Sequence, residues 1–154
     1  MKPSVPTSAL LGLCTWLAAT AQAAEYLPGT EFHQQRAMSP AVITQGGRTV
    51  WLTGQNAIVD AAGKSIKGDF EAQTRTVFAE IDKTLKRTGG SLRNVVSMTV
   101  YLRDPRDAET FTRLRKEAFP DGNYPVSTLL VLNNLAKPGA DVEVQAVAVI
   151  EEVR

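Results

Sequence analysis

A chain of 154 residues with 17 Lys and Arg against 16 Asp and Glu carries a net charge of +1, and its length suits one domain around one core. No single-sign charge block occurs, which excludes nucleic-acid binding through a strong basic field. One cysteine, Cys14, and one histidine, His33, exclude a disulfide framework and a His- or Cys-rich metal centre.

The first 23 residues read as a signal peptide. Lys2 supplies a positive start, and residues 9–19 form an apolar run. That run is too short for a membrane span, which takes about 20 residues. Ala21-Gln22-Ala23 fits a small-x-small cleavage site. The expected mature chain is a single domain, 24–154, periplasmic or secreted, with no membrane association. It lacks cysteine and holds 16 basic and 16 acidic residues.

Residues 24–36 are polar, contain Pro28 and Gly29, and read as an irregular opening segment. His33 lies here without a visible partner, so it reads as an exposed loop histidine rather than a base. Residues 41–45 and 48–52 are short β-prone runs, and Gly46-Gly47 between them signals a hairpin. Thr53-Gly54-Gln55 follows. A glycine at a strand end admits a close approach, either of a ligand or of another strand.

Residues 69–87 read as a helix, with Phe70, Val77, Phe78, Ile81 and Leu85 at helical spacing. Asp69 is the expected N-cap, and Gly89-Gly90 the stop. Residues 95–102 alternate as a strand. Residues 107–119 form a second helix, with Phe111, Leu114 and Ala118 inward. Two β-rich runs close the chain around Lys137-Pro138-Gly139. In the last, Val142, Val144, Ala146, Ala148 and Ile150 share one face. Glu143, Gln145, Val147 and Val149 share the other.

The pattern is α+β: β-β-α-β-α-β-β, with two helices on one face of a sheet. Leu129 to Leu132 and Val147 to Ile150 are nonetheless apolar on both strand faces. The uncovered face therefore needs a partner subunit, which points to a homo-oligomer.

The chemistry left is a carboxylate, hydroxyls, amides and backbone donors. There is no phosphate loop and no nucleophile elbow, and no cofactor or metal is implied. Such a set can orient a water and shuttle a proton. It suits hydrolysis of an already reactive bond such as C=N.

Several pieces carry a resemblance. They are Ser39-Pro40-Ala41-Val42, Leu52-Thr53-Gly54-Gln55, Gly68-Asp69-Phe70-Glu71-Ala72-Gln73-Thr74, Val95-Val96 through Thr99-Val100-Tyr101-Leu102, Phe119, Pro125, and Val142 through Val149. In order and spacing the chain resembles the reactive intermediate deaminase family, also called Rid or YjgF, over about residues 37–150. The resemblance implies a chorismate-mutase-like fold and a homotrimer with ligand clefts between subunits. It also implies hydrolysis of 2-imino or 2-enamino acids to 2-keto acids and ammonia.

Carried over residue by residue, the water-positioning glutamate is Glu143. Gly54 stands for the family glycine, with Thr53 supplying a hydroxyl. Ser127, in Pro125-Val126-Ser127-Thr128, occupies the place of the arginine that pairs with the substrate carboxylate. Met38 replaces an early tyrosine. A serine cannot replace a bidentate guanidinium, so these departures point away from the usual 2-imino acid. The expected site is catalytic Glu143 with Thr53, Gly54, Ser127 and Thr128 binding a small molecule. The alternative is a trimer of the same fold that binds a small molecule without turnover.

Overall fold

The computed structural model describes residues 23–152. The expected signal peptide lies outside them except for Ala23. Among the described residues no helix is long and apolar enough to cross a membrane.

The elements are β1 (Ala24–Tyr26), α1 (Glu31–Gln35), β2 (Val42–Thr44), β3 (Arg48–Trp51), α2 (Phe70–Lys86), β4 (Val95–Leu102), α3 (Ala108–Ala118), β5 (Val126–Val131) and β6 (Val142–Ile150). One sheet runs β3-β6-β4-β5, with β4 and β5 parallel and the other pairs antiparallel. The expected α+β architecture, with two helices against one sheet face, is the observed one.

The core explains why. Val77, Phe78, Ile81 and Leu85 of α2 and Phe111 and Leu114 of α3 are buried against Met98, Val100 and Leu102 of β4. Val142, Val144, Ala146 and Ala148 of β6 complete that layer. Each side contributes its apolar stripe at its own period, 3.6 for helix and 2 for strand. The Asp69 carboxylate accepts from Ala72 N at 2.9 Å and starts α2. Gly89, at φ 84°, lets the chain leave the helix.

The opening segment is more ordered than its composition suggests. β1 pairs with β2 in a separate two-stranded sheet, and the Tyr26 hydroxyl donates to Val95 O at 3.0 Å. His33 sits in α1, where Nδ1 accepts from Thr30 N at 3.2 Å, so it closes a helix cap. The hairpin expected at Gly46-Gly47 does not form: β2 pairs with β1, and β3 pairs with β6. Both glycines have positive φ, but they carry the chain over the end of β6. A Cβ on Gly47 would come within 2.8 Å of Ile150 O. The nine-residue β6, buried on its inner face, is a longer partner for β3 than β2 could be.

The face away from the helices is partly covered. Ala23, Ala24, Val96 and Val149 form a small second cluster beneath the β1-β2 sheet, with Tyr26, Val42 and Val147 packed against it. Beyond it Trp51 is 77 % exposed and Leu130 41 % exposed. Exposed Leu132 extends this apolar strip, while Leu129 and Val131, paired with Val100 and Leu102, lie exposed on the other face of edge strand β5.

Candidate functional site

Glu143 enters β6 one residue after the strand begins and pairs with Tyr101 of β4. Its neighbours Val142 and Val144 are fully buried on the helix side. Alternation therefore places Glu143 on the open face, where it is half-buried. Asn56 Nδ2 donates to its Oε2 at 2.9 Å.

The other carboxylate oxygen lies against Gly54. A Cβ built there would overlap Oε1 and come within 3.1 Å of Cδ. Pairing with β6 continues past the end of β3: Leu52 N donates to Ala146 O, while Gln55 and Val144 exchange both bonds at 2.9 Å. Thr53 and Gly54 thus face the single residue Gln145, a bulge. The bulge presses bare backbone against the carboxylate and turns Asn56 toward it. Of the two readings open for this glycine, the close approach is that of the Glu143 side chain.

Around this pair lies an open cavity of about 320 Å³, bordered by Tyr101, Gln145, Leu132 and Asn134 as well as Gly54 and Glu143. That volume is near the lower end for small-molecule sites. The loop after β5 forms its outer wall. Buried Gln73 anchors the far end of that loop: Nε2 donates to Gly139 O at 3.1 Å and Asp141 Oδ2 at 2.9 Å, and Oε1 accepts from Asp141 N at 2.8 Å.

The five expected site residues do not converge within one protomer. Gly54 and Glu143 meet. Thr53 is adjacent but exposed, and it does not border the cavity. Thr128 pairs with Thr99 on the open face of β5 and is exposed. Ser127 pairs with Met98, so it faces the helix side, opposite to Glu143. There it accepts a 2.6 Å bond from Arg115 Nη1. Sequence reasoning missed Asn56, Tyr101, Asn134, Gln145 and Arg115. Asn56 stood two residues past Gly54 and Tyr101 on an alternating strand, but only the bulge and the register connect them to Glu143.

Residues 30–150 match the endoribonuclease L-PSP family. The chain belongs to this family, the Rid or YjgF family. A RutC family protein from Pyrococcus abyssi is 31 % identical over 102 residues, covering 66 % of this chain and 79 % of that one. Human 2-iminobutanoate/2-iminopropanoate deaminase is 28 % identical, covering 66 % and 73 %. The 3-aminoacrylate deaminase RutC of Acinetobacter baylyi is 36 % identical over a shorter stretch, covering 53 % and 63 %. A solved Rid-family protein from Yersinia pestis superposes with a TM-score of 0.74 at 22 % identity, covering 84 % of this chain and all of that one. The last likeness concerns the fold. This Rid-family chain carries serine at 127 and holds its glutamate in the arrangement described.

Proposed function

We propose that this protein hydrolyses the C=N bond of a small reactive imine, or of the enamine in equilibrium with it, giving a carbonyl compound and ammonia. The observation that carries the proposal is the Glu143 carboxylate. Asn56 holds it against Gly54 at the wall of a small cavity with polar groups around it. Glu143 takes a proton from a water as that water attacks the imine carbon. It returns that proton to the nitrogen, giving a carbinolamine, and as the adduct collapses it passes the hydroxyl proton to the nitrogen, which leaves as ammonia while the carbonyl forms. An imine needs no stronger activation, because protonation of its nitrogen already makes the carbon electrophilic. The deaminase relatives support the reaction class.

The working form is a homotrimer with the cleft between copies. Two features support this. Apolar side chains stay exposed along β5 and at Trp51. Ser127 and Glu143 lie on opposite sheet faces, so a Ser127 that serves the Glu143 cavity must come from another copy.

Substrate scope tests the proposal. Imines generated in situ by an amino-acid oxidase should disappear faster with the protein present. 2-Iminopropanoate should turn over roughly 10- to 100-fold more slowly than with an arginine-bearing relative, since a charge-assisted contact is worth roughly 1.5–3 kcal/mol. No acceleration of any imine would contradict the hydrolytic reading. A 2-iminopropanoate rate equal to the relative's would contradict the weight placed on Ser127.

A further inference from the structure

Gln73 lies in the first turns of α2 without solvent exposure, on the buried stripe that continues as Val77 and Ile81. An apolar side chain would fill that place at less risk, because a buried carboxamide is costly unless its polar atoms are bonded. Here they are. Nε2 donates to Ile66 O at 3.1 Å, to Gly139 O at 3.1 Å and to Asp141 Oδ2 at 2.9 Å. Oε1 accepts from Asp141 N at 2.8 Å. Three acceptors thus converge on one nitrogen that carries two N–H groups. A carboxylate at this nitrogen's place would meet acceptors alone, so the position calls for an amide.

Its partners belong to two loops, and both loops build the Glu143 cavity. Residues 52–69 form the first. This loop carries Gly54 and Asn56, which meet the carboxylate, and it folds back on itself where Ile66 N donates to Ile58 O at 3.0 Å. Residues 132–141 form the second, in which Leu132, Asn134, Leu135 and Ala136 border the cavity. Asp141 ends that loop one residue before β6 and two before Glu143. Arg103, directly after β4, ties Asp141 down from the other side: Arg103 N donates to Asp141 O at 3.1 Å, and Nη1 to Oδ1 at 2.9 Å. The two loops also touch directly. A Cβ on Gly139, at φ 89°, would come within 2.9 Å of Lys67 Cδ.

We infer that Gln73 is a positioning residue for the Glu143 site, and that its one carboxamide locks the two cavity walls into a single unit. It does not border the cavity. It acts through the loop of Asn56 on one side and through Asp141, at the root of the Glu143 strand, on the other. Separate anchors would leave each loop free to open alone, whereas a shared carboxamide makes the loss of one wall the loss of both. The positioning of chemistry rests on the hydrolytic reading; the coupling of the walls does not.

Gln73→Met tests this, since methionine keeps the volume and removes every one of these bonds. Amide hydrogen exchange reads the coupling at Ile66 and Ala140, whose N–H groups bond Ile58 O and Lys137 O rather than Gln73. Both should exchange about tenfold faster or more, beyond any change at Val100 in β4, which reports global stability. Acceleration of one alone, or of neither beyond Val100, overturns the inference. Turnover per folded molecule should fall roughly 10- to 100-fold in kcat, as for a displaced acid–base group, with KM changed less. A merely structural glutamine would lower the melting temperature and leave kcat alone. Gln73→Glu should lose activity as well, and adding Asp141→Asn should restore part of it, because the new amide donates where the new carboxylate accepts. An unchanged kcat in Gln73→Met, or no recovery in the double variant, overturns the positioning role. Should Gln73→Met fail to fold, exchange of the wild type in low urea decides: Ile66 and Ala140 must share one opening free energy and one urea slope, and two separate openings overturn the inference. If the wild type hydrolyses no imine, the reaction falls, and exchange alone decides whether the walls are coupled.

Discussion

Glu143→Gln is expected to lower imine hydrolysis by about 10²- to 10⁴-fold, the range for loss of a positioned acid–base group, with fold and assembly intact. The physical case is one of near-isosteric replacement. Glutamine keeps the length of the side chain, and its oxygen can still accept from Asn56, which now bonds Oε2 at 2.9 Å. Only the ability to take up and return a proton is lost. Glu143 belongs to neither buried apolar cluster, so the melting temperature should change little. Steady-state rates beside a thermal melt check both halves. Turnover within a few-fold of wild type would show that Glu143 is not the base. A protein that binds its ligand unchanged but never turned over imines would be the non-catalytic member that the sequence also allows. Loss of the oligomer on this substitution would make Glu143 an interface residue.

Gly54→Ala is expected to act on the same carboxylate from the other side. The added methyl would overlap Oε1, so the carboxylate must swing away from its present position. Displacement of a catalytic group by about 1 Å can cost on the order of 10²-fold in rate. The backbone at Gly54 is not in the left-handed region, so alanine brings no strain of its own and the loss should appear in rate rather than stability. Combined with Glu143→Gln, it should add almost nothing, because both changes remove one function. Wild-type rates from Gly54→Ala would mean that the position of the carboxylate does not matter. Additive losses in the double variant would mean that Gly54 acts elsewhere.

Much of the fold is legible because its stripes are unambiguous. Val142, Val144, Ala146, Ala148 and Ile150 hold one buried face along the whole of the last strand, α2 repeats its apolar positions between a capping aspartate and a glycine pair, and the alternation of residues 95–102 spans the whole of β4. The opening segment was not legible. β1 and α1 are three and five residues long, too short for a period to show, and they depend on tertiary contacts such as Tyr26 with Val95. The Gly46-Gly47 connection misled because local turn chemistry does not reveal which distant strand competes for pairing. At the site, Glu143 and Gly54 could be named from the sequence, but their contact depends on a bulge. Ser127 and Thr128 could not both face one ligand from one strand, since neighbours alternate. Arg115 was hidden for a different reason. On a helix of mixed polarity, a single arginine reads as solvated surface, and only packing shows that it points inward.

The central claim is that the site is completed between copies, with Glu143 from one and Ser127 from another. Subunit mixing tests it most directly. Ser127→Glu would replace the hydroxyl bonded to Arg115 with a larger carboxylate, while Glu143→Gln removes the base. Each variant alone should be nearly inactive. After equal amounts are co-refolded into mixed trimers, about one quarter of the sites in a closed ring should draw an intact residue from each contributing copy, and activity should return to about that fraction of wild type. No recovery, with subunit exchange verified by native mass spectrometry, would contradict a site shared between copies.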